Sequence, residues 1–127
     1  MSTKSFEHLI VWQKAHQYVL SIYKITKHYP REEMFGLINQ MRRAAISITA
    51  NIAEGYIRIG TKEKLRFYNI SQGSLEETRN FILLSKDLEY ITEKEKEVLS
   101  NQAAKVSRLL NAYCKGLLKG LDINRVT

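Results

Sequence analysis

The sequence predicts an all-α protein, an antiparallel up-and-down four-helix bundle, and three observations indicate this fold class. Apolar residues recur at intervals of three and four over long segments, which is typical of helices that bury one face. The chain of 127 residues has a single proline, Pro30, and breaks near 29–33, 55–61 and 90–92 leave four segments of helical length. Because short connections make neighbouring helices antiparallel, we expect a single four-helix-bundle domain over residues 1–127.

The first two helices are separated by the proline. We expect the first helix over about residues 7–28, because Pro30 biases the residue before it away from helical angles. The second helix is expected over about residues 34–58, between that proline and the break that contains Gly60.

The third and fourth helices have N-terminal signals. The third is expected over about residues 62–89, with Thr61 as its N-cap. The fourth, over about residues 93–120, follows a capping box in which Thr92 and Glu95 each satisfy an otherwise unbonded backbone N–H. The positions of the third helix expected to face inward alternate bulky with small hydroxylated residues: Phe67, Ser71, Ser74, Thr78, Phe81, Ser85 and Leu88.

The composition narrows the class of protein. The 20 basic and 13 acidic residues give a net charge of +7, which favours polyanion partners such as nucleic acid or else only keeps the protein soluble. Cys114 is the only cysteine, so an internal disulfide and a zinc cluster of thiolates are excluded. The N-terminal residues lack the apolar core of a signal peptide, and no apolar run is long enough to span a membrane. We therefore expect a soluble, cytoplasmic protein.

The fourth helix has an apolar face and an opposite basic face. The apolar face repeats at three and four residues and contains Leu99, Gln102, Val106, Leu109, Tyr113 and Leu117. The basic face, which we call the basic row, lies within about 80° on a helical wheel and consists of Lys105, Arg108, Lys115 and Lys119. Such a face is either an ordinary solvated surface or a contact for a polyanion, and the scarcity of acidic residues after Glu97 favours the contact.

The second helix carries two apolar stripes. The first follows an almost strict heptad pattern and consists of Met34, Ile38, Met41, Ala45, Ile48 and Ile52. The other, which we call the second stripe, lies about 120° round the helix and consists of Phe35, Ile46, Ala50, Ala53 and Ile57. A bundle helix buries one face of roughly 100°, so the second stripe is covered either by both neighbouring helices or by another subunit.

A polar strip runs between these stripes and consists of Gln40, Arg43, Ser47, Asn51 and Glu54. Asn51 and Glu54 could bind a ligand, but a buried polar network that fixes helix register is the favoured interpretation. Arg43 and Glu54 lie about 16 Å apart along their own helix, so an ion pair between them would cross a subunit boundary.

The sequence shows no arrangement typical of an enzyme. A ferritin-like di-iron site requires Glu-x-x-His on its helices, and no histidine, of His8, His16 and His28, has a glutamate three residues earlier. Cys114 has no histidine near it in sequence, and no glycine-rich phosphate loop is present. We expect a non-enzymatic protein with no metal and no cofactor.

Several segments together resemble one known family. The most specific is the run QMRRAAISITANIAEG at residues 40–55, which ends at Gly55, and further matches lie at residues 9–15, 29–37 and 73–77. The chain resembles the 23S rRNA intervening-sequence protein family, also called the S23 ribosomal protein or four helix bundle protein family. The accessory variability protein of diversity-generating retroelements is a relative of that family.

The resemblance implies a bundle that assembles into a ring-like homopentamer and binds RNA or DNA through a basic surface. Five copies would carry a formal charge of five times +7, or +35, and the second stripe or the polar strip would lie near subunit contacts. We hypothesise that four basic residues at the second connection join the basic row in salt-dependent phosphate contact: Arg58, Lys62, Lys64 and Arg66. The alternative is a scaffold that holds a partner protein without direct nucleic-acid contact.

Overall fold

Four consecutive α-helices make up the computed structural model, which describes the backbone of residues 5–126 and the side chains of residues 5–120. The helices are α1, Ile10–Thr26; α2, Leu37–Ile57; α3, Thr61–Asp87; and α4, Glu93–Val126. Short 3₁₀ turns at Phe6–His8 and Arg31–Glu33 precede α1 and α2. Residues 5–126 contain no strand, so the predicted all-α class is confirmed.

Each helix packs against the next one in the chain, and α4 also packs against α1. The contact between α2 and α3 is the most extensive. Because connections of a few residues reverse the chain between neighbours, the predicted up-and-down four-helix bundle is confirmed. Within the part of the chain that the structure describes, no helix is long and apolar enough to cross a membrane.

The core runs along the bundle axis and draws on all four helices. A hydrogen bond of 2.9 Å between Tyr18 Oη and Thr78 Oγ1 joins α1 to α3 across this core. Burial raises the pKa of Tyr18 to about 12, so the phenol is protonated at neutral pH. The two hydroxyls satisfy each other, which avoids the cost of about 1–3 kcal/mol for a buried polar group without a partner.

The start of α1 lies at Ile10 rather than at residue 7. Ser5 accepts a hydrogen bond from Glu7 N–H and caps the 3₁₀ turn at Phe6–His8. Leu9 then adopts an extended conformation with φ −71° and ψ 126°. An extended residue cannot continue the helical hydrogen bonds, so the predicted first helix is split at this point.

The C-terminus of α1 is capped by an arginine of α2. Arg42 Nε donates to Thr26 Oγ1 at 2.9 Å, and its Nη2 donates to Tyr23 O at 3.2 Å. A cation is favourable beside the unpaired carbonyls of a helix C-terminus. The helix ends at Thr26, two residues before the predicted end at residue 28.

The start of α2 lies at Leu37 rather than at residue 34. Pro30 opens a 3₁₀ turn, and Gly36 has non-helical angles, φ −113° and ψ −109°. Glu33 accepts a hydrogen bond from Leu37 N–H at 3.2 Å and so caps the new start. Met34 lies outside the helix and is 51% exposed, which corrects its assignment to the first stripe. The rest of that stripe is buried: Ile38, Met41, Ala45, Ile48 and Ile52.

Both ends of α3 differ from the prediction. Gly60, in an extended conformation, occupies the N-cap position and Thr61 is the first helical residue, so the predicted N-cap is wrong. At the other end Glu89 has a left-handed φ of 64°, and Tyr90 N–H donates to Ser85 O at 2.9 Å. These features form a Schellman motif, which ends the helix two residues before the predicted residue 89.

The prediction of the inward face of α3 is correct for the hydroxylated residues and wrong for the two phenylalanines and Leu88. The hydroxylated residues are buried as predicted: Ser71, Ser74, Thr78 and Ser85. Phe67 and Phe81 are only half-buried, and Leu88 is 45% exposed. The large core side chains come from the adjacent positions, Tyr68, Leu75 and Ile82.

The start of α4 follows the prediction, and its end does not. Glu95 N–H donates to Thr92 Oγ1 at 3.1 Å and Thr92 N–H donates to Glu95 Oε1 at 2.8 Å, so the capping box is confirmed. The helix reaches Val126 instead of ending near residue 120. Gly116 and Gly120 do not stop it, because a glycine inside a helix costs only about 1 kcal/mol and neither has a positive φ.

Candidate nucleic-acid interface

The basic row lies on the outer face of α4. All four side chains are exposed, and none makes an ion pair with another side chain in residues 5–120. The opposite face of the helix is fixed in the core by Leu99, Ala103, Val106 and Leu110. Lys105 and Lys119 are fourteen residues apart, so the row extends about 21 Å along a rigid axis.

The two arginines at the α2–α3 connection are each paired with a carboxylate. Arg58 Nη2 lies 2.9 Å from Glu54 Oε2, and Arg66 Nη1 lies 3.6 Å from Glu63 Oε1. The guanidinium carbons of both also lie over the ring of Phe67, 4.6 Å and 5.6 Å from its centroid. Exposed pairs of this kind contribute only about 0–1 kcal/mol, but they reduce the positive charge of the connection.

Lys64 caps the C-terminus of α2. Its Nζ donates to Tyr56 O at 2.6 Å and to Gly55 O at 3.3 Å. Partial burial lowers the pKa of Lys64. The ammonium group therefore serves as a helix cap in this structure, whereas Lys62 is exposed and makes no ion pair with the described side chains.

The topology brings the connection and the end of the basic row to the same end of the bundle. Gln72 Nε2 donates to Asn111 Oδ1 at 2.7 Å, which sets the antiparallel register of α3 and α4. Counting eight residues in opposite directions from this pair places Lys119 level with Lys64. Lys115 lines a groove of about 390 Å³ between the two helices. Lys105 and Arg108 lie nearer the start of α4, beside the middle of the bundle.

Part of the polar strip forms a hydrogen-bond network between α2 and α3. Asn51 Nδ2 donates to Ser47 O at 2.8 Å and to Ser47 Oγ at 3.0 Å, and Ser74 Oγ donates to Ser47 Oγ at 2.7 Å. A network of this kind fixes the packing of one helix on the other. A polar cavity of about 270 Å³ beside it is lined by Gln40, Arg43, Ala44, Ser47, Ser74 and Glu77.

The end of the family signature contains an ion pair and a close helix contact. Glu54 pairs with Arg58 of its own chain, and its pairing with Arg43 across a subunit boundary stays a prediction. Gly55 is buried, and a Cβ atom added there would lie 2.7 Å from Tyr68 Cε1. The sequence marks Gly55 as the end of the family signature and the start of a break between helices, and neither pattern predicts that a tyrosine of α3 packs against it.

Most of the second stripe is exposed. The exposed fraction is 71% for Ile57 and 46% for Ile46. Phe35 is 89% exposed and lies before the start of α2, so its assignment to this face of the helix is corrected. The neighbouring helices of the same chain therefore do not cover these three residues. For them, the explanation that both neighbouring helices bury the second stripe is wrong. A cavity of about 630 Å³ lies alongside, lined by Ser5, Phe6, Ala50, Ala53, Glu54, Tyr56 and Ile57.

Two of the histidines pack against aromatic rings, and the cysteine is partly buried. Among the residues that the structure describes, no group of three or more His, Cys, Asp or Glu side chains could hold a metal ion. His16 stacks on Trp12 with ring centroids 4.7 Å apart, and His8 packs against Tyr56 at 5.6 Å. Burial raises the pKa of the Cys114 thiol, which keeps it protonated and weakly nucleophilic.

The structure defines the class of protein: a basic four-helix bundle with an uncovered apolar stripe on α2. The family model described as 23S rRNA-intervening sequence protein matches residues 7–112, and this chain belongs to that family. The family resemblance of the sequence is thus confirmed.

A solved structure supports the same membership. It is a crystal structure of a protein with unknown function from the S23 ribosomal protein family of Bacteroides thetaiotaomicron VPI-5482. The two chains are 26% identical with a TM-score of 0.75, and the match covers 84% of this chain and 99% of the other. No curated protein matches the sequence.

Proposed function

We propose that this protein is a non-enzymatic, homo-oligomeric nucleic-acid-binding protein of the cytoplasm that holds a phosphate backbone on the basic row. The observation that carries the proposal is the row itself, four exposed cations on one face of one helix without an ion-pair partner among the described side chains. A net charge of +7 adds attraction for a polyanion at longer range.

The length of the row suits a nucleic-acid backbone. A B-form duplex offers one phosphate per about 3.4 Å of axis on each strand, so a row of about 21 Å spans roughly six phosphates of one strand. Lysine and arginine side chains on an exposed helix face can adjust to several of these positions. Contacts of this type position the ligand and carry no sequence information, so we expect binding that is independent of sequence.

The connection contributes less charge than its four basic residues suggest. Arg58 and Arg66 are paired with carboxylates, and Lys64 is bonded to backbone carbonyls. Of these four residues, only Lys62 has an exposed charge that makes no ion pair with a described side chain. We therefore assign the main phosphate contact to α4 and a secondary one to Lys62.

The oligomer is proposed from the second stripe. Exposed apolar residues arranged on one helix face favour a protein contact, and a second copy of this chain supplies such a contact in the homopentamer that the family resemblance implies. Five basic rows in one assembly would bind a long polyanion more tightly than one row, because later contacts form at high effective concentration.

A salt titration tests the basic row. We expect fluorescence anisotropy with a labelled duplex to give affinity that falls steeply between about 50 and 200 mM salt. Replacing two row residues, Lys105→Gln with Lys115→Gln, should reduce the slope of log K against log salt by about 2, roughly 1 for each lost phosphate contact.

The matched control removes the same charge from another face of the bundle. Lys14 and Lys24 are exposed on α1, and Lys14→Gln with Lys24→Gln should leave the slope close to that of the wild type. Equal effects of the two double variants would contradict a specific role of the row. Absence of binding at 50 mM salt would contradict the proposed function as a whole.

The second stripe also supports a second candidate function, a scaffold for a partner protein. In that case the stripe holds the partner, and the positive charge serves only solubility. The same oligomer would then hold the partner, and the purified protein would bind no nucleic acid at low salt. A raised ratio of absorbance at 260 to 280 nm in purified protein would instead favour nucleic-acid binding.

A further inference from the structure

The two arginines of the α2–α3 connection have paired charges, but their planar guanidinium groups remain partly exposed. Arg58 lies over the Phe67 ring at 4.6 Å while Glu54 holds its Nη2 at 2.9 Å. These two contacts fix the orientation of the guanidinium, yet 42% of the side chain stays exposed. Arg66 lies over the same ring at 5.6 Å, and its side chain is 67% exposed.

An apolar side chain lies beside this cluster. Ile59, directly after Arg58, is 99% exposed and does not belong to the second stripe. Phosphate contact does not explain an isoleucine in water. Unpaired bases stack on arginine guanidinium planes and on aromatic rings, and an exposed apolar side chain next to such a plane adds contact for a base.

We propose that the connection binds unpaired bases on the Arg58 guanidinium and the adjacent Ile59 side chain, and that it gives the protein a preference for single-stranded over double-stranded nucleic acid. The inference rests on the proposed phosphate binding by the basic row. Lys115 and Lys119, at the same end of the bundle, hold the backbone of the strand whose bases reach the connection. In a duplex the bases are stacked on one another and are not available to Arg58.

Strand preference is measured with one RNA sequence in two forms. A labelled 20-nucleotide strand without self-complementarity and the same strand annealed to its complement are titrated with wild-type protein by fluorescence anisotropy at one salt concentration. We expect the single strand to bind about tenfold more tightly, the effect of one to two stacked bases. A 2-aminopurine base in the strand reports stacking through a change in its fluorescence.

Two variants separate the plane of Arg58 from its charge. Arg58→Lys keeps the charge and removes the planar group, so it should weaken single-strand binding five- to tenfold, abolish the 2-aminopurine change and leave duplex affinity within twofold. Lys62→Gln, in the same connection, removes a charge and no plane, so it should weaken both ligands by a similar factor. Circular dichroism melting of both variants checks that the bundle is intact.

The outcomes distinguish this inference from the proposed function. Absence of binding to either form contradicts phosphate binding itself. Equal affinity for the two forms, or an Arg58→Lys variant that weakens both equally, overturns the base-stacking site while the basic row stands. A membrane surface is the other possible ligand of the connection. If the protein sediments with phosphatidylserine vesicles, if Arg58→Lys weakens that binding, and if the two RNA forms bind equally, the connection binds membranes and the proposal is overturned.

Discussion

Single side chains determine where the helices of this bundle end and how closely they approach. Arg42 caps α1 and Lys64 caps α2, each by donating to carbonyl oxygens at a helix C-terminus. From the sequence, Lys64 was predicted to join its basic neighbours in phosphate contact. A lysine in a basic segment has the same local sequence whether its ammonium group meets solvent or backbone, so only the fold reveals the cap.

Gly55→Ala is expected to destabilise the protein by about 1–2 kcal/mol. The added methyl would lie 2.7 Å from Tyr68 Cε1, and that ring is fully buried and cannot move freely. Because 2.7 Å is well short of a normal contact, the cost of overpacking should lie at about 2–3 kcal/mol, and the gain of about 1 kcal/mol in helix propensity leaves a net loss of about 1–2 kcal/mol. Urea unfolding measures the change.

Gly73→Ala is the matched control for that substitution. Gly73 is exposed in the middle of α3, and a Cβ atom added there meets nothing within 4 Å. The control should therefore gain up to about 1 kcal/mol from helix propensity. Shifts of the same sign for the two variants would show that Gly55 is not a packing constraint.

At the scale of whole elements, the existence of the helices was predictable and most of their ends were not. Periodicity over many residues identified all four, because burial of one face repeats with the helical turn. The start of α4 was also correct, since the capping box is formed by two side chains close in sequence. Other ends depend on the backbone angles of one residue, such as extended Leu9 or left-handed Glu89.

Glu89→Gly should stabilise the C-terminus of α3 by about 0.5–1 kcal/mol. A left-handed φ of 64° costs a residue with a side chain about 1–2 kcal/mol, and glycine avoids this cost. Part of the gain is offset because glycine has more conformational freedom in the unfolded chain. Differential scanning calorimetry should show a melting temperature higher by a few degrees.

A glycine inside a helix provides the comparison. Glu97 is exposed in α4, and Glu97→Gly should lower stability by about 1 kcal/mol. If the two substitutions destabilise equally, the Schellman motif at the end of α3 does not have the assigned conformation.

At the scale of the whole molecule, the basic row and the second stripe lie on different helices, α4 and α2. The basic row was predicted from the wheel of α4, and the structure finds all four of its residues exposed. The connection was harder to interpret. The pairs Arg58–Glu54 and Arg66–Glu63 are local, four and three residues apart, and their spacing could have indicated them. The contact of Arg58 with the Phe67 ring forms only after α2 and α3 fold together. A sequence pattern counts charges, whereas the fold decides which charges remain available.

Ile46→Asp should reduce the mass of the protein in solution to that of one chain. Ile46 belongs to the second stripe and is 46% exposed, and a carboxylate on an apolar subunit contact would be buried without a partner. Multi-angle light scattering measures the mass of wild type and variant at equal concentrations. We expect an oligomer for the wild type and 14.8 kDa for the variant.

Leu20→Asp is the control on α1, where Leu20 is 49% exposed outside the second stripe. This variant should keep the mass of the wild type. The same mass for the wild type and both variants would remove the second stripe as the self-association surface.

The packing around Trp12 gives the molecule an internal optical probe. This is the only tryptophan in the chain, and its indole lies 4.7 Å from the ring of His16 and 5.1 Å from the ring of Phe6. Phe6 in turn lines the cavity beside Ala50 and Ile57 of the second stripe. Since indole emission follows the polarity of its surroundings, covering the stripe should shift the emission to shorter wavelength, so assembly can be followed by dilution of unlabelled protein.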